Sequence, residues 1–445
     1  MSEPSLVEAL HRTLLLMRDE ISAEAPDSVL VHALTSTRIA LVAAAEDLNT
    51  HCAQTAYITA ALLMAHSGHA VHLIAPDVPI IGHQPPLPMG GIISSLLQVG
   101  RDLLPGVEFS ATPPESPLDM VVFWGQVDSR FVAPLMFCAG ASRWAGSLRP
   151  CNDKTSWSGA SCPMGGLAAG GLISAEAFKV SMRRLRPFAA TAYFDEMVAA
   201  VPSREIVLAP EATPVPTNFG EVVLVSAGAI VNSFLFCSAR IPNAAGDFRA
   251  FDRDISDTTN LNRNMLLLSS SVGQKKVDLL GRAGTKDLAI TPVPHHFEAN
   301  GVGEIGLMKP RFIVGVDDIP VRWAVQKQSK EWLGIGATSH WMAMSSFHQG
   351  RLACAGCLHN RDEPGLETIP TVAIVSFWAG LWLATQFLRS YDGNAPECEQ
   401  QVIFYPLTGR AYRCPVAISD SCALHGECRA LDQSGMSKAF AEKAV

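Results

Sequence analysis

Hydrophobic and polar positions alternate along the chain in two successive series. Arg38 to Ala45 and Ala70 to Ala75 are apolar stretches of strand length, and Cys52 to His66 between them has the apolar density of a buried helix. Together they predict a βαβ unit. A further strand is expected at Asp119 to Trp124 and, after a Gly-rich passage, a helix from Ile173 to Leu185. Pro202 to Pro216 is proline-rich and irregular, which places a domain boundary near Ser203. The pattern then starts again, with strand Glu221 to Val225, helix Ala229 to Ala239, strands Phe248 to Asp252 and Phe312 to Gly315, and helix Thr371 to Arg389. The expected fold is α/β, with two Rossmann-like domains at residues 1–205 and 206–445, the second repeating the first in outline.

Composition supports two cores, since 445 residues of which 48% are hydrophobic exceed what one ordinary domain needs. A net charge of -8 excludes a dominant nucleic-acid surface, so the partner is expected to be a protein or a small molecule. Met1 to Glu20 carries Glu3, Glu8, Arg12 and Arg18 among its apolar residues and reads as an amphipathic helix, not a signal core. That places the protein in the cytoplasm, where its 11 cysteines are read first as metal ligands and not as disulfides. Ile369 to Leu388 is uncharged over the length of a membrane span, but Gly380, Thr371, Ser376, Thr385 and Gln386 interrupt it. The expectation is a helix buried on all sides, with no membrane partner.

Candidate chemistry gathers in the second series. After Val222 to Val225, the small-residue turn Ser226-Ala227-Gly228-Ala229 opens a helix whose N–H groups can meet an anion. Only Gly228 survives from a G-x-G-x-x-G template, so an ordinary tight turn explains that segment equally well. The next strand ends at Phe251-Asp252-Arg253-Asp254, where a carboxylate can accept hydrogen bonds from ribose hydroxyls. Asn260-Leu261-Asn262-Arg263, Gly273-Gln274-Lys275-Lys276 and Val314-Gly315-Val316-Asp317-Asp318-Ile319-Pro320-Val321-Arg322 follow. The corresponding turn of the first series, Ala44-Ala45-Glu46-Asp47, lacks glycine and would repel phosphates.

In this order the motifs resemble those of the ThiF, MoeB and ubiquitin-activating enzyme family, over roughly Glu221 to Cys428. The chain departs from the family at Ser226 and Val231, which stand at expected glycines, at Lys275 beside Lys276, and at Asp318 where the family often has Asn. The resemblance implies ATP-dependent adenylation of the C-terminal glycine of a ubiquitin-like or sulfur-carrier protein. It puts Gly228, Asp252 and Asp254 at the nucleotide, with Asp252 on the ribose, and Asn260 beside the phosphates. Arg263 and Lys276 would hold the triphosphate and Asp317 a Mg²⁺ ion.

Cys354-Ala355-Gly356-Cys357 lets two thiolates from one turn reach a single tetrahedral ion. A second pair, Cys422 and Cys428, lies near Cys414 and His425, an order like that of the family's structural Zn²⁺ site. A thioredoxin-like redox pair is the alternative for Cys354 and Cys357. No cysteine occurs from His359 to Pro370, where ubiquitin-activating relatives carry their nucleophile. Cys162, ahead of a helix at Leu167, is the substitute candidate, with Cys151 and Cys414 weaker ones. The resemblance extends to a pseudodimer with an inactive first half, similar to bacterial two-domain activating enzymes of ubiquitin-like conjugation operons linked to phage defence. The implied partners are a β-grasp modifier and a ubiquitin-conjugating-like enzyme, with a homodimer left open. Activation of a sulfur carrier for thiamine or molybdopterin synthesis and a nucleotide-binding scaffold without catalysis are the rival readings.

Overall fold

The computed structural model describes residues 6–153, 155–159, 162–201, 203–297, 310–350, 352–360, 369–392, 397–422 and 424. Seven strands form the first sheet: β1 (Arg38–Val42), β2 (Ala70–Ile74), β3 (Phe109–Ser110), β4 (Met120–Phe123), β5 (Leu135–Ala141), β6 (Ala145–Pro150) and β7 (Arg204–Val207). Their order is β3-β2-β1-β4-β5-β6-β7, parallel as far as β5 and antiparallel after it. The second sheet comprises β8 (Asn218–Val225), β9 (Ala245–Phe251), β10 (Leu288–Val293), β11 (Arg311–Val314), β12 (Leu333–Ser339), β13 (Met342–His348), β14 (Gln401–Tyr405) and β15 (Arg410–Cys414). Its order, β10-β9-β8-β11-β12-β13-β14-β15, repeats the first sheet strand for strand and adds β15 at the edge. The switch from parallel to antiparallel also falls at the same place.

The helices that position the site are α1 (His11–Arg18), α2 (His51–His66), α3 (Met164–Arg184), α4 (Ala229–Ser238), α5 (Lys276–Leu280), α6 (Ile319–Gln328), α7 (Ala355–Leu358) and α8 (Ala373–Arg389). Every residue of α2 and every residue of α8 except Arg389 is buried. That accounts for their nearly continuous apolar sequences, and no described helix is long and apolar enough to cross a membrane. Glycines set the spacing of this layer. A Cβ on Gly166 or Gly170 of α3 would come within 2.3 Å of the Cys52 carbonyl oxygen or 2.7 Å of Thr59 Cβ, both on α2. On α8, a Cβ on Gly380 would lie 2.4 Å from Ser233 Cβ of α4, so alanine there would force the two helices apart. α3 and α8 also touch, with Gly171 leaving room for Trp378, and one apolar core runs through both halves.

Three expectations shift. The helix expected at Ile173 begins at Met164, because the Gly-rich passage is not a loop but its first turns, pressed against α2. Among the described residues of the first 20, two short helices, Leu6–Ala9 and α1, stand in place of one. β7 straddles the boundary drawn between 205 and 206, and the chain crosses from one sheet to the other between Val207 and Asn218.

Candidate functional site

β8 lies between β9 and β11, so successive crossovers leave it on opposite sides and a crevice opens beyond the carboxyl ends of the strands. A cleft of about 760 Å³ occupies this position. Gly228, Asp252, Asp254, Arg263, Lys276 and Asp317 all line it. Asn260 is not among the lining residues. It is buried, and its Oδ1 accepts from the Asp257 backbone N–H at 3.1 Å, in a capping box that shapes the turn leading to Arg263.

The turn after β8 is braced from within. Asp252 Oδ2 accepts from Ala227 N–H at 2.7 Å, and Asp252 Oδ1 from Asp254 N–H at 2.8 Å. Ser226 has a φ of 93°, a left-handed conformation that favours glycine, and its Oγ accepts from Gly228 N–H at 2.9 Å. The side chain therefore occupies one of the donors that a phosphate would use. Val231 is accommodated by a compensating change: it is fully buried, and a Cβ on Gly315 would lie 2.9 Å from its Cγ2. Gly336 gives the same relief to Ile230, where a Cβ would lie 2.5 Å from its Cγ2. The glycines missing from the turn reappear opposite it, just beyond β11 and on β12. Substitution of Ser226 by Gly should relieve about 1 kcal/mol of backbone strain and release the Gly228 donor. ATP affinity measured by calorimetry is expected to rise several-fold, and unchanged or weaker binding would show that no phosphate meets this turn.

Cations enter the cleft from three directions. Lys276 opens α5 and its Nζ lies 2.8 Å from Asp254 Oδ2, a contact that leads in lowering the Asp254 pKa. Neighbouring Lys275 is exposed and does not line the cleft, so Lys276 is the residue of the pair that faces it. Arg263 donates to the Thr259 carbonyl and, at 2.9 Å, to Asn262 Oδ1. The third cation, Arg12, comes from α1 in the first half and donates to the Ile369 carbonyl at 3.1 Å. Asn262 joins the two, since its amide also donates to Thr13 Oγ1 at 2.8 Å. Desolvation lowers the Arg263 pKa to about 9, with the like charge of Arg12 adding to it. Desolvation also lowers the Arg12 pKa, against the pull of Asp317. Arg12 carries no local signal that marks it for a site in the other half.

Asp317 is exposed and lines the same cleft, and Asp318 Oδ1 caps α6 by accepting from Val321 N–H at 2.9 Å. A fourth cation lining the cleft, Arg322, is buried and donates to the Val316 carbonyl through Nε at 2.9 Å and Nη2 at 2.7 Å. Its Nη1 lies 2.8 Å from His359 Nε2. The first half has side chains where the second has its cleft. Trp157 stacks on Trp124 with centroids 5.7 Å apart and donates to its carbonyl, and a Cβ on Gly125 would lie 2.0 Å from Asp47 Oδ1.

Cys354, Cys357 and Cys422 bring their sulfurs within 4.8 Å of one another, with Cys354 3.4 Å from Cys422 and 3.8 Å from Cys357. Thiolates at about 2.3 Å from a tetrahedral Zn²⁺ would be separated by a little under 4 Å, so these three fit that ion. Burial, then the neighbouring thiols, pushes the Cys422 thiol up to about 12. A third sulfur beside the Cys-x-x-Cys also separates this site from a simple redox pair. Cys428 and His425 lie outside the described residues. α7 is tied to α6 by Ala355 N–H donating to Gln326 Oε1 at 2.9 Å and by Trp323 Nε1–H donating to the His359 carbonyl at 2.9 Å.

Cys162 is buried against Cys52, and desolvation pushes its thiol up to about 11 despite the Met164 N–H and Arg143. That is the reverse of the depressed pKa a nucleophilic thiol needs. Cys151 is half-buried with its thiol also raised by burial, and Cys414 is half-buried at the end of β15.

No protein-family model matches the chain, and no curated protein matches it. Among solved structures, E. coli MccB crystallised with selenomethionine MccA is similar over 46% of this chain and 66% of that one, at 16% identity and a TM-score of 0.39. The chain thus spans just under two thirds of that MccB. The microcin C7 biosynthetic enzyme MccB in complex with N-formylated MccA is similar over 56% of this chain and 81% of that one, at 14% identity and a TM-score of 0.39. For PaaA the shares are 44% and 64%, with 12% identity and a TM-score of 0.34.

Proposed function

We propose that the second half of this chain uses ATP to adenylate the C-terminal carboxylate of a ubiquitin-like or sulfur-carrier protein, as in the ThiF, MoeB and ubiquitin-activating enzyme family. The observation that carries this reading is the meeting of Arg12, Arg263 and Lys276 with Asp252 and Asp317 in one cleft at the switch point of a parallel sheet. Two of those cations are desolvated and repel each other. A polyanion between them offsets both costs.

In this reading Asp252 and the turn at Gly228 receive the ribose and the adjoining phosphate, while Arg12, Arg263 and Lys276 hold the triphosphate. A carboxylate oxygen of the substrate attacks the α-phosphorus, and the bond from that phosphorus to the oxygen bridging to the β-phosphate breaks. Pyrophosphate leaves with the electron pair, and an acyl-adenylate remains. Charge grows on the α-phosphoryl and leaving oxygens, and the three cations stabilise it without reorganising. Asp317 offers the hard oxygen that Mg²⁺ prefers, and that ion, when bound, would neutralise phosphate charge. Arg12 gives the first half a part in the site, which supports a pseudodimer with one working cleft. That arrangement favours a ubiquitin-like modifier passed on to a conjugating-like enzyme over a sulfur carrier.

The test is exchange of labelled pyrophosphate into ATP, dependent on the cognate modifier. Arg12→Ala is expected to lower exchange about 10²-fold with the fold retained. Unchanged exchange would take Arg12 out of the reaction, and ATP binding without any exchange would make the protein a scaffold. Because Cys162 and Cys151 are buried or half-buried with their thiols raised, the reverse of what attack needs, the enzyme should form no obligatory thioester. A reductant-sensitive adduct with the modifier, lost in a single cysteine variant such as Cys162→Ser, would overturn this.

A further inference from the structure

Two consecutive residues of the first half meet two consecutive residues of the second. Arg12 and Thr13 lie in the first turn of α1, and Asn262 and Arg263 follow the capped turn Thr258–Asn260. Thr13 and Asn262 are both fully buried. Asn262 Nδ2 donates to Thr13 Oγ1 at 2.8 Å, while Asn262 Oδ1 accepts from Arg263 Nη1 at 2.9 Å. Turning the amide over would set two donors, Nδ2 and Nη1, against each other, so the two bonds fix one orientation. The backbone of the same segment is held from the first half as well, since His66 Nδ1, at the end of α2, lies 2.5 Å from the Leu261 carbonyl oxygen.

The Arg263 guanidinium needs such a brace. Burial and then the like charge of Arg12, in the same cleft, both act against it where it sits. Until an anion arrives, hydrogen bonds have to hold the two cations together. Nη1 carries two hydrogens, and the Thr259 carbonyl and Asn262 Oδ1 take both. Among the described residues nothing partners Nε or Nη2, and Arg263 lines the cleft. The free edge is therefore the one that can grip two oxygens of a phosphate side by side. An unbraced side chain of this length would swing away from Arg12, and ordering it again on binding would cost affinity.

We propose that Thr13 and Asn262 are positioning residues for the phosphates of the nucleotide: Thr13 fixes the Asn262 amide, and the amide fixes Arg263 with its free edge toward the cleft before the nucleotide binds. The proposal rests on the adenylation reading for the identity of the ligand. It goes beyond that reading in giving the first half a hold on Arg263, separate from the charge that Arg12 supplies. Loss of the Thr13 hydroxyl leaves the Asn262 amide with a buried donor unpaired. The amide then turns to another acceptor and releases Arg263, so a change in the first half is read at a cation of the second.

The test is a double-mutant cycle on ATP binding by the full chain, measured by calorimetry. Thr13→Val keeps the shape of the side chain and removes the hydroxyl, and it is expected to weaken ATP binding about tenfold. Thr13→Ser should restore binding to within about twofold of the wild type. In an Arg263→Ala background Thr13→Val should make no further difference, whereas in an Arg12→Ala background it should keep most of its effect. The variant Thr13→Val/Asn262→Leu replaces both partners by apolar groups of similar size, so it should melt close to the wild type and still show the ATP defect. ATP binding that is weakened by Arg263→Ala but not by Thr13→Val, or a Thr13→Val effect that persists in full without Arg263, would overturn the proposal and leave the adenylation reading in place. So would a failure of Thr13→Ser to restore binding. Wild-type protein that binds no ATP, or an Arg263→Ala variant that binds it normally, would remove the nucleotide reading and this proposal with it. The expected cycle without any pyrophosphate exchange would keep the positioning role and remove adenylation.

Discussion

Alanine at Asp317 should lower modifier-dependent pyrophosphate exchange by two orders of magnitude or more while leaving thermal stability nearly unchanged. Stability should hold because Asp317 is exposed and its carboxylate braces no turn, unlike Asp252 and Asp318, which accept backbone N–H groups. The kinetic signature separates its role from that of the cations. Removing a carboxylate beside a polyphosphate also removes repulsion, so ATP affinity should stay within a few-fold while kcat falls. Arg263→Ala and Lys276→Ala should raise KM for ATP as well as lower kcat, because they remove attraction in the ground state too. Asn260→Ala should cost about 1 kcal/mol of stability through the lost cap and affect exchange much less. Near-normal exchange by Asp317→Ala would show that the aspartate after β11 holds no metal.

How much of this is legible in the sequence depends on the range of the interactions. The parallel strands β1, β2, β4, β8 and β11 and the helices α2, α4 and α8 are largely buried, so they stand out as apolar runs and their sequence-derived bounds lie within a few residues of the observed ones. The antiparallel strands do not stand out. β15 is exposed or half-buried along its length, and β13 alternates only over its first residues, so neither differs from a loop by composition. The start of α3 is hidden for a different reason: glycine usually argues against a helix, but here it allows α3 to approach α2 closely. Within the site, motifs carried on single turns do meet in one cleft, apart from Asn260. Arg12 has no such motif, because what brings it to the cleft is the packing of α1, whose Thr13 meets Asn262 at a separation of 249 positions. Val231 shows the same limit, since the glycine that compensates for it is Gly315, just beyond the end of β11.

Purified protein is expected to contain about one zinc per chain, and removing that metal should cost more stability than any single substitution in the cleft. A metal joining Cys354 and Cys357 to Cys422 closes a loop of 68 residues, and a cross-link of that span restricts the unfolded chain by about 4 kcal/mol in the loop-entropy picture. For a domain of some 200 residues that corresponds to a fall of roughly 8–16 °C in the unfolding midpoint. The effect should reach the cleft. α7 is tied to α6 through Ala355 and Gln326, and His359 contacts Arg322, which holds the Val316 carbonyl beside Asp317. Loosening that chain of contacts should therefore reduce exchange, though less than Asp317→Ala does, because the residue itself remains. Metal analysis by emission spectrometry, with melts before and after chelation, checks both parts. A thiol titration that changes with reductant but not with chelator would identify Cys354 and Cys357 as a redox pair instead. A wild-type protein without stoichiometric metal, or a Cys354→Ser variant that keeps both its metal and its midpoint, would remove the zinc assignment. A metal-free protein with full exchange activity would uncouple the cysteines from the Asp317 loop.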